Sequence, residues 1–136
     1  MKGEEQPFEI QPYIGIGPFM LNTNIDSYSD FELVFYNSDD TTGWDTYELD
    51  NSFSIYTENG IVVSIACRAL CVLCGVFVVG GHYSDFLKTF HITEITHDQI
   101  YMPEDDDYQD VYDINDLGIQ LWCRYDTIVT VFCALE

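Results

Sequence analysis

"YELDNSFSIYTENGIVVSIAC", residues 47–67, decides the fold, because its pattern returns in "YDINDLGIQLWCRYDTIVTVFC", residues 112–133. At an offset of 66, Phe53, Ile55 and Tyr56 match Ile119, Leu121 and Trp122. Val63, Ser64, Ile65 and Cys67 likewise match Val129, Thr130, Val131 and Cys133. Apolar and polar residues alternate in both copies, the signature of half-buried strands whose successive side chains point to opposite faces. Glu58-Asn59-Gly60 separates the two runs of the first copy, and Asn-Gly is a strong hairpin signal. Arg124-Tyr125-Asp126 stands at the same place in the second. Each copy therefore predicts a β-hairpin with the same face buried.

Upstream of the hairpins, "YSDF" occurs at Tyr28–Phe31 and again at Tyr83–Phe86, followed by Phe35 and Phe90 at equal spacing. The aromatic spacing predicts a short amphipathic helix in each half. Thr23 or Asn24 is a candidate cap for the first helix and Ser84 for the second. A second register, offset by 58, instead matches "LNTNIDSY" to "VGGHYSDF". Shifting a helix by so little keeps most of its face, and both registers stand. Each half reads as a leading strand, a helix, a polar connection and a hairpin, over about residues 13–68 and 70–134. One helix and one hairpin bury too little to be stable alone. The expected architecture is a single α+β domain over residues 1–136, with two pseudo-symmetric helix plus β-hairpin repeats sharing an antiparallel sheet. Phe53, Ile55, Val63, Ile65, Ile119, Leu121, Val129 and Val131 are its expected core.

Composition bounds the function. With 136 residues, 47% hydrophobic and 15% aromatic, the chain can bury a core and is unlike a disordered acidic protein. Its 24 acids face only four lysines and arginines, a net charge of −20. Such a balance opposes nucleic-acid phosphates and anionic membranes, and its natural complement is a basic protein. "MKGEEQPFEIQPY" lacks the apolar stretch of a signal peptide, which predicts a cytoplasmic protein. Five cysteines there read as buried thiols. "IVVSIACRALCVLCGVFVVGG", residues 61–81, approaches the length of a membrane span. Arg68 within it, its β-branched content and Gly75, Gly80 and Gly81 favour two consecutive buried strands.

The polar connections hold half of the acids: five in residues 37–50 and seven in residues 101–116, with no base in either. Equivalent places in the repeat suggest that they meet on one face. Aromatic rings among carboxylates suit a basic partner, with the carboxylates steering and the rings anchoring. The candidate partner-binding residues are Asp39, Asp40, Trp44 and Asp45 in the first connection. In the second they are Glu104, Asp105, Asp106, Asp107, Tyr108, Asp110, Tyr112 and Asp113.

Other chemistry is less well supported. A calcium loop begun at Asp105 has Asp110 where glycine is needed, and one begun at Asp39 fails in spacing. Cys71 and Cys74 form a lone CxxC in an apolar run, without the second pair of a zinc site. His82, His91 and His97 belong to no catalytic motif. Gly15-Ile16-Gly17-Pro18 lacks the glycine and basic residue of a phosphate loop. No catalytic residue, metal or cofactor is expected.

The duplicated layout resembles the β-lactamase-inhibitor-protein type and related small outer-membrane lipoproteins, through "LNTNIDSY" with "SIYTENGIVVSI" and "VGGHYSDF" with "IQLWCRYDTIVTV". With its small size and acidity, the chain also looks like the immunity proteins of contact-dependent growth inhibition. That resemblance implies a non-enzymatic monomer that binds a basic toxin domain 1:1, often a nuclease, and neutralises it. The alternatives are a nucleic-acid mimic that inhibits a host protein, or a small enzyme.

Overall fold

The computed structural model describes residues 7–92 and 94–134. The strands run β1 (Phe8–Gln11), β2 (Gly15–Ile16), β3 (Phe19–Met20), β4 (Val34–Ser38), β5 (Asp45–Leu49), β6 (Phe53–Glu58) and β7 (Ile61–Cys67). They continue with β8 (Cys71–Leu73), β9 (Val76–Phe77), β10 (Ile95–Met102), β11 (Asp107–Ile114), β12 (Ile119–Arg124) and β13 (Thr127–Ala134). Among the described residues, one 3-10 turn, Ile25–Tyr28, precedes β4, and one α-helix, α1 (Tyr83–Phe90), precedes β10.

This overturns the expected α+β arrangement: the described chain is mostly β, in two sheets. The larger sheet has the order β10-β11-β12-β13-β7-β6-β5-β4, and the smaller has the order β3-β2-β1-β8-β9. Where a first helix was expected, the 3-10 turn ends at Tyr28 and Val34-Phe35-Tyr36 enters β4. β-Branched and aromatic residues suit a pleated strand better than a helix. The polar connections are themselves largely strands. Asp45–Leu49 forms β5 and Asp107–Ile114 forms β11, each continuing the sheet outward from its hairpin.

The two hairpins repeat one another pair for pair. Phe53 faces Cys67 and Ile55 faces Ile65 in one, while Ile119 faces Cys133 and Leu121 faces Val131 in the other. A bulge follows Tyr56 in the first and Trp122 in the second. Each bulge adds a residue to the returning strand, Val63 or Val129, and reverses the facing beyond it. Val62 and Ile128 are therefore buried, whereas Val63 and Val129 are only half-buried. Phe53, Ile55, Ile65, Ile119, Leu121 and Val131 are in the core as expected. Upstream, the 58-residue register describes the pairing, because Asn24 bridges Ile61 and His82 bridges Thr127.

β7 pairs antiparallel with β13, joining the two four-strand meanders. The smaller sheet and the helical segments pack on one face of the larger. Ile10, Ile16, Phe19, Tyr28, Leu73 and Phe86 share a core with Phe53, Ile65, Leu121 and Val131. Residues 61–81 form β7, β8, β9 and their links, and no described helix is long and apolar enough to cross a membrane.

Candidate functional site

The second face of the large sheet carries the side chains that alternate with the core. Pairing aligns Thr46, Tyr56, Ser64 and Ala134 across β5, β6, β7 and β13. It aligns Phe132, Gln120 and Asp113 across β13, β12 and β11. Strands lie about 4.8 Å apart, so on a flat sheet β5 and β11 would be roughly 24 Å apart. Asp39, Trp44 and Thr46 nevertheless line the same cavity of about 700 Å³ as Asp113 and Gln120. The sheet must curl around this face, which is what twist and paired bulges produce.

An aromatic ribbon crosses the cavity. Trp44 lies 6.3 Å from Tyr56, Tyr56 stacks on Phe132 at 6.0 Å, and Phe132 lies 5.5 Å from Trp122. Half-burial of Tyr56 raises the pKa of its hydroxyl, so the ring faces the cavity as a neutral group. Side-chain hydrogen bonds hold the far end. The Trp122 indole donates to Gln120 Oε1 at 2.7 Å, and Gln120 Nε2 donates to Asp113 Oδ1 at 2.7 Å. Asp39 Oδ1 accepts from the backbone of Thr41 at 2.7 Å, turning the β4–β5 connection toward the cavity. Gly118 admits the ring of Tyr13 at the cavity's end, for a Cβ there would lie 2.5 Å from that ring. The Tyr13 hydroxyl donates to the Asn115 carbonyl. Among the described residues, no lysine, arginine or histidine lines the cavity.

The predicted partner-binding residues do not form one surface. Antiparallel pairing of β7 with β13 relates the two halves by a rotation that sends equivalent turns to diagonal corners of the sheet. Asp39, Asp40, Trp44 and Asp45 lie near the β11–β12 turn, whereas Glu104–Asp107 lie at the other end, beside the β12–β13 turn. At that tip Asp105 pairs with Arg124, Asp106 accepts from Tyr101, and Asp107 accepts from Tyr125 at 3.2 Å. Tyr108 is exposed and packs edge-on to Tyr101 at 5.3 Å. Strand alternation splits the rest of the acidic run. Asp110 and Tyr112 face the helix side, while Asp113 faces the cavity. Tyr112 is sandwiched between Tyr83 at 3.7 Å and His97 at 4.6 Å. Asp110 meets His97 Nε2 at 2.9 Å.

Tyr56, Gln120, Trp122 and Phe132 were not among the sequence candidates, although they line the cavity. Their signal was available: they are bulky residues on the non-core positions of hairpins whose core face was already assigned.

Other chemistry stays dispersed. His82, His91 and His97 occupy the start of α1, its C-terminal cap and β10. Cys71 is buried in β8 while Cys74 is exposed in the following turn, so the CxxC does not converge. A hydrogen bond with Cys71 lowers the pKa of the Cys67 thiol, and the same bond together with burial raises that of Cys71. Both thiols are sealed from solvent, which denies them an external substrate. Among the described residues, no group of three His, Cys, Asp or Glu side chains is arranged to hold a metal. Comparison with family models, with curated proteins and with solved structures yields no match to this chain.

Proposed function

We propose that the chain is an acidic, non-enzymatic inhibitor that binds a basic partner domain 1:1 in the cytoplasm. The immunity proteins of contact-dependent growth inhibition, which it resembles in small size and acidity, act in this way on toxin domains, often nucleases. The observation carrying the proposal is the face around the aromatic ribbon. It presents large rings beside Asp39 and Asp113, and no cation lines it among the described residues. Two of the chain's four lysines and arginines are already engaged, Arg68 by Glu48 and Arg124 by Asp105. A surface of this kind attracts positive charge over long range and rewards contact with apolar area.

Asp39, Asp40, Glu104 and Asp106 are exposed at the two corners and serve mainly to steer the partner. The test is coexpression with a basic toxin domain, sought in the gene immediately upstream, followed by purification and stopped-flow binding across a salt series. A 1:1 complex and protection of growth are expected. The variant D39N/D40N/E104Q/D106N should associate at least tenfold more slowly at low salt, with a shallower salt dependence. Absence of a complex, or unchanged association kinetics in the folded variant, refutes the proposal.

A further inference from the structure

Among the differences between the two halves of the large sheet, one lies beside an equivalent carboxylate. In the first half Glu48 sits on β5 opposite Ser54 of β6. In the second, Asp113 sits on β11 opposite Gln120 of β12. Glu48 and Asp113 are thus counterparts, as are Ser54 and Gln120 at the 66-residue offset of the hairpins. By the same offset Arg68 corresponds to Ala134.

In the first half the carboxylate is satisfied from within. Arg68 Nη2 lies 3.2 Å from Glu48 Oε1 and donates to Ser54 Oγ at 2.9 Å, while Ser54 Oγ donates to Glu48 Oε2 at 2.9 Å. Arg68 Nε also donates to the Asn51 carbonyl at 3.1 Å. In the second half Asp113 keeps the polar neighbour, Gln120, but alanine replaces the arginine. Asp113, Gln120 and Ala134 all line the cavity of about 700 Å³, a volume typical of ligand sites, roughly 300–1,000 Å³.

We infer that this cavity receives an arginine side chain from the partner, at the place that Arg68 fills in the other half. The inference rests on the proposed binding of a basic domain and specifies which side chain enters. Guanidinium suits the site better than ammonium because it can fork onto a carboxylate and lie flat on an aromatic face. Asp113 supplies the carboxylate, while Trp44, Tyr56, Phe132 and Trp122 supply faces. Gln120 holds both Asp113 and Trp122 in position before the ligand arrives, which reduces the ordering cost of binding.

The experiment uses short capped peptides, Ala-Arg-Ala, Ala-Lys-Ala and Ala-Ala-Ala, titrated into the full chain. Amide chemical shifts and tryptophan fluorescence report binding. Saturable shifts confined to the cavity are expected with the arginine peptide, at least threefold weaker binding with lysine, and no saturation with alanine. Asp113→Asn should weaken arginine binding about tenfold. Ala134→Arg should place an internal guanidinium in the cavity and abolish peptide binding in a folded protein; if that variant does not fold, Asp113→Asn decides. Equal binding of the lysine peptide, no saturable arginine binding, or unchanged binding by Asp113→Asn or by folded Ala134→Arg overturns the inference. Because no partner domain is used, peptide binding without a 1:1 complex defeats only the proposed function. A complex that forms without peptide binding defeats only the arginine pocket.

Discussion

Cys123 shows how the helix-side face responds to pH. Burial pushes its thiol up to about 12, and the negative charges of Asp110 and Asp126 reinforce the shift. Burial also pushes Tyr83 to about 12, helped by its stacked neighbour Tyr112. Both groups are neutral when protonated, so the folded state retains their protons to higher pH than the unfolded chain does. Their ordinary values are 9.0 and 10.0, so the contribution is complete below about pH 9 and is lost as pH rises toward 12. The urea midpoint should therefore fall steadily between pH 9 and pH 12. Cys123→Ala should flatten the lower part of that fall, since it removes one of the buried thiols that titrate first when unfolded. An identical slope in the variant contradicts the assignment.

At the scale of elements, α1 ends on His91, whose φ of 54° is left-handed, while its backbone N–H donates to the Leu87 carbonyl. Glycine adopts this conformation without the steric cost that other residues carry there. His91→Gly is expected to stabilise the protein by about 0.5–1 kcal/mol, measured by thermal or urea unfolding. A loss of stability would mean that the exposed imidazole makes a contact outweighing the strain. The acids of β5 and β11 explain why both segments read as polar connections rather than as strands. Asp is rare in strands, yet each acid-bearing strand is at or next to a sheet edge, with one partner strand beyond it and abundant solvent. Negative charge at such an edge also discourages pairing with another chain.

For the whole molecule, a net charge of −20 opposes compaction, and the shared core of the two sheets has to outweigh that repulsion. Repulsion among exposed carboxylates is screened as the Debye length shrinks from about 30 Å at 0.01 M salt to about 3 Å at 1 M. The melting temperature should therefore rise with sodium chloride over this range in the absence of any partner. The arginine peptide should bind more weakly over the same range. Opposite responses of folding and binding to one variable separate self-repulsion from attraction for a partner. A melting temperature that falls with salt would indicate that the internal pairs Arg68–Glu48 and Arg124–Asp105 outweigh the repulsion.

Sequence alone determined the two hairpins, their turns and most of their core, because alternation along a strand is a local property that survives in one dimension. It also determined the chain's strongly negative charge, since no folding can balance 24 acids with four lysines and arginines. Only the tertiary structure decided that Val34-Phe35-Tyr36 extends a sheet rather than a helix, because the value of a strand depends on the neighbour with which it pairs. It alone decided which acids meet. Antiparallel pairing of β7 with β13 sends equivalent turns to diagonal corners, and curling of the sheet brings Asp39 and Asp113 to one cavity. Neither the rotation nor the curl is written in any short stretch of residues, for both arise from how distant strands pair.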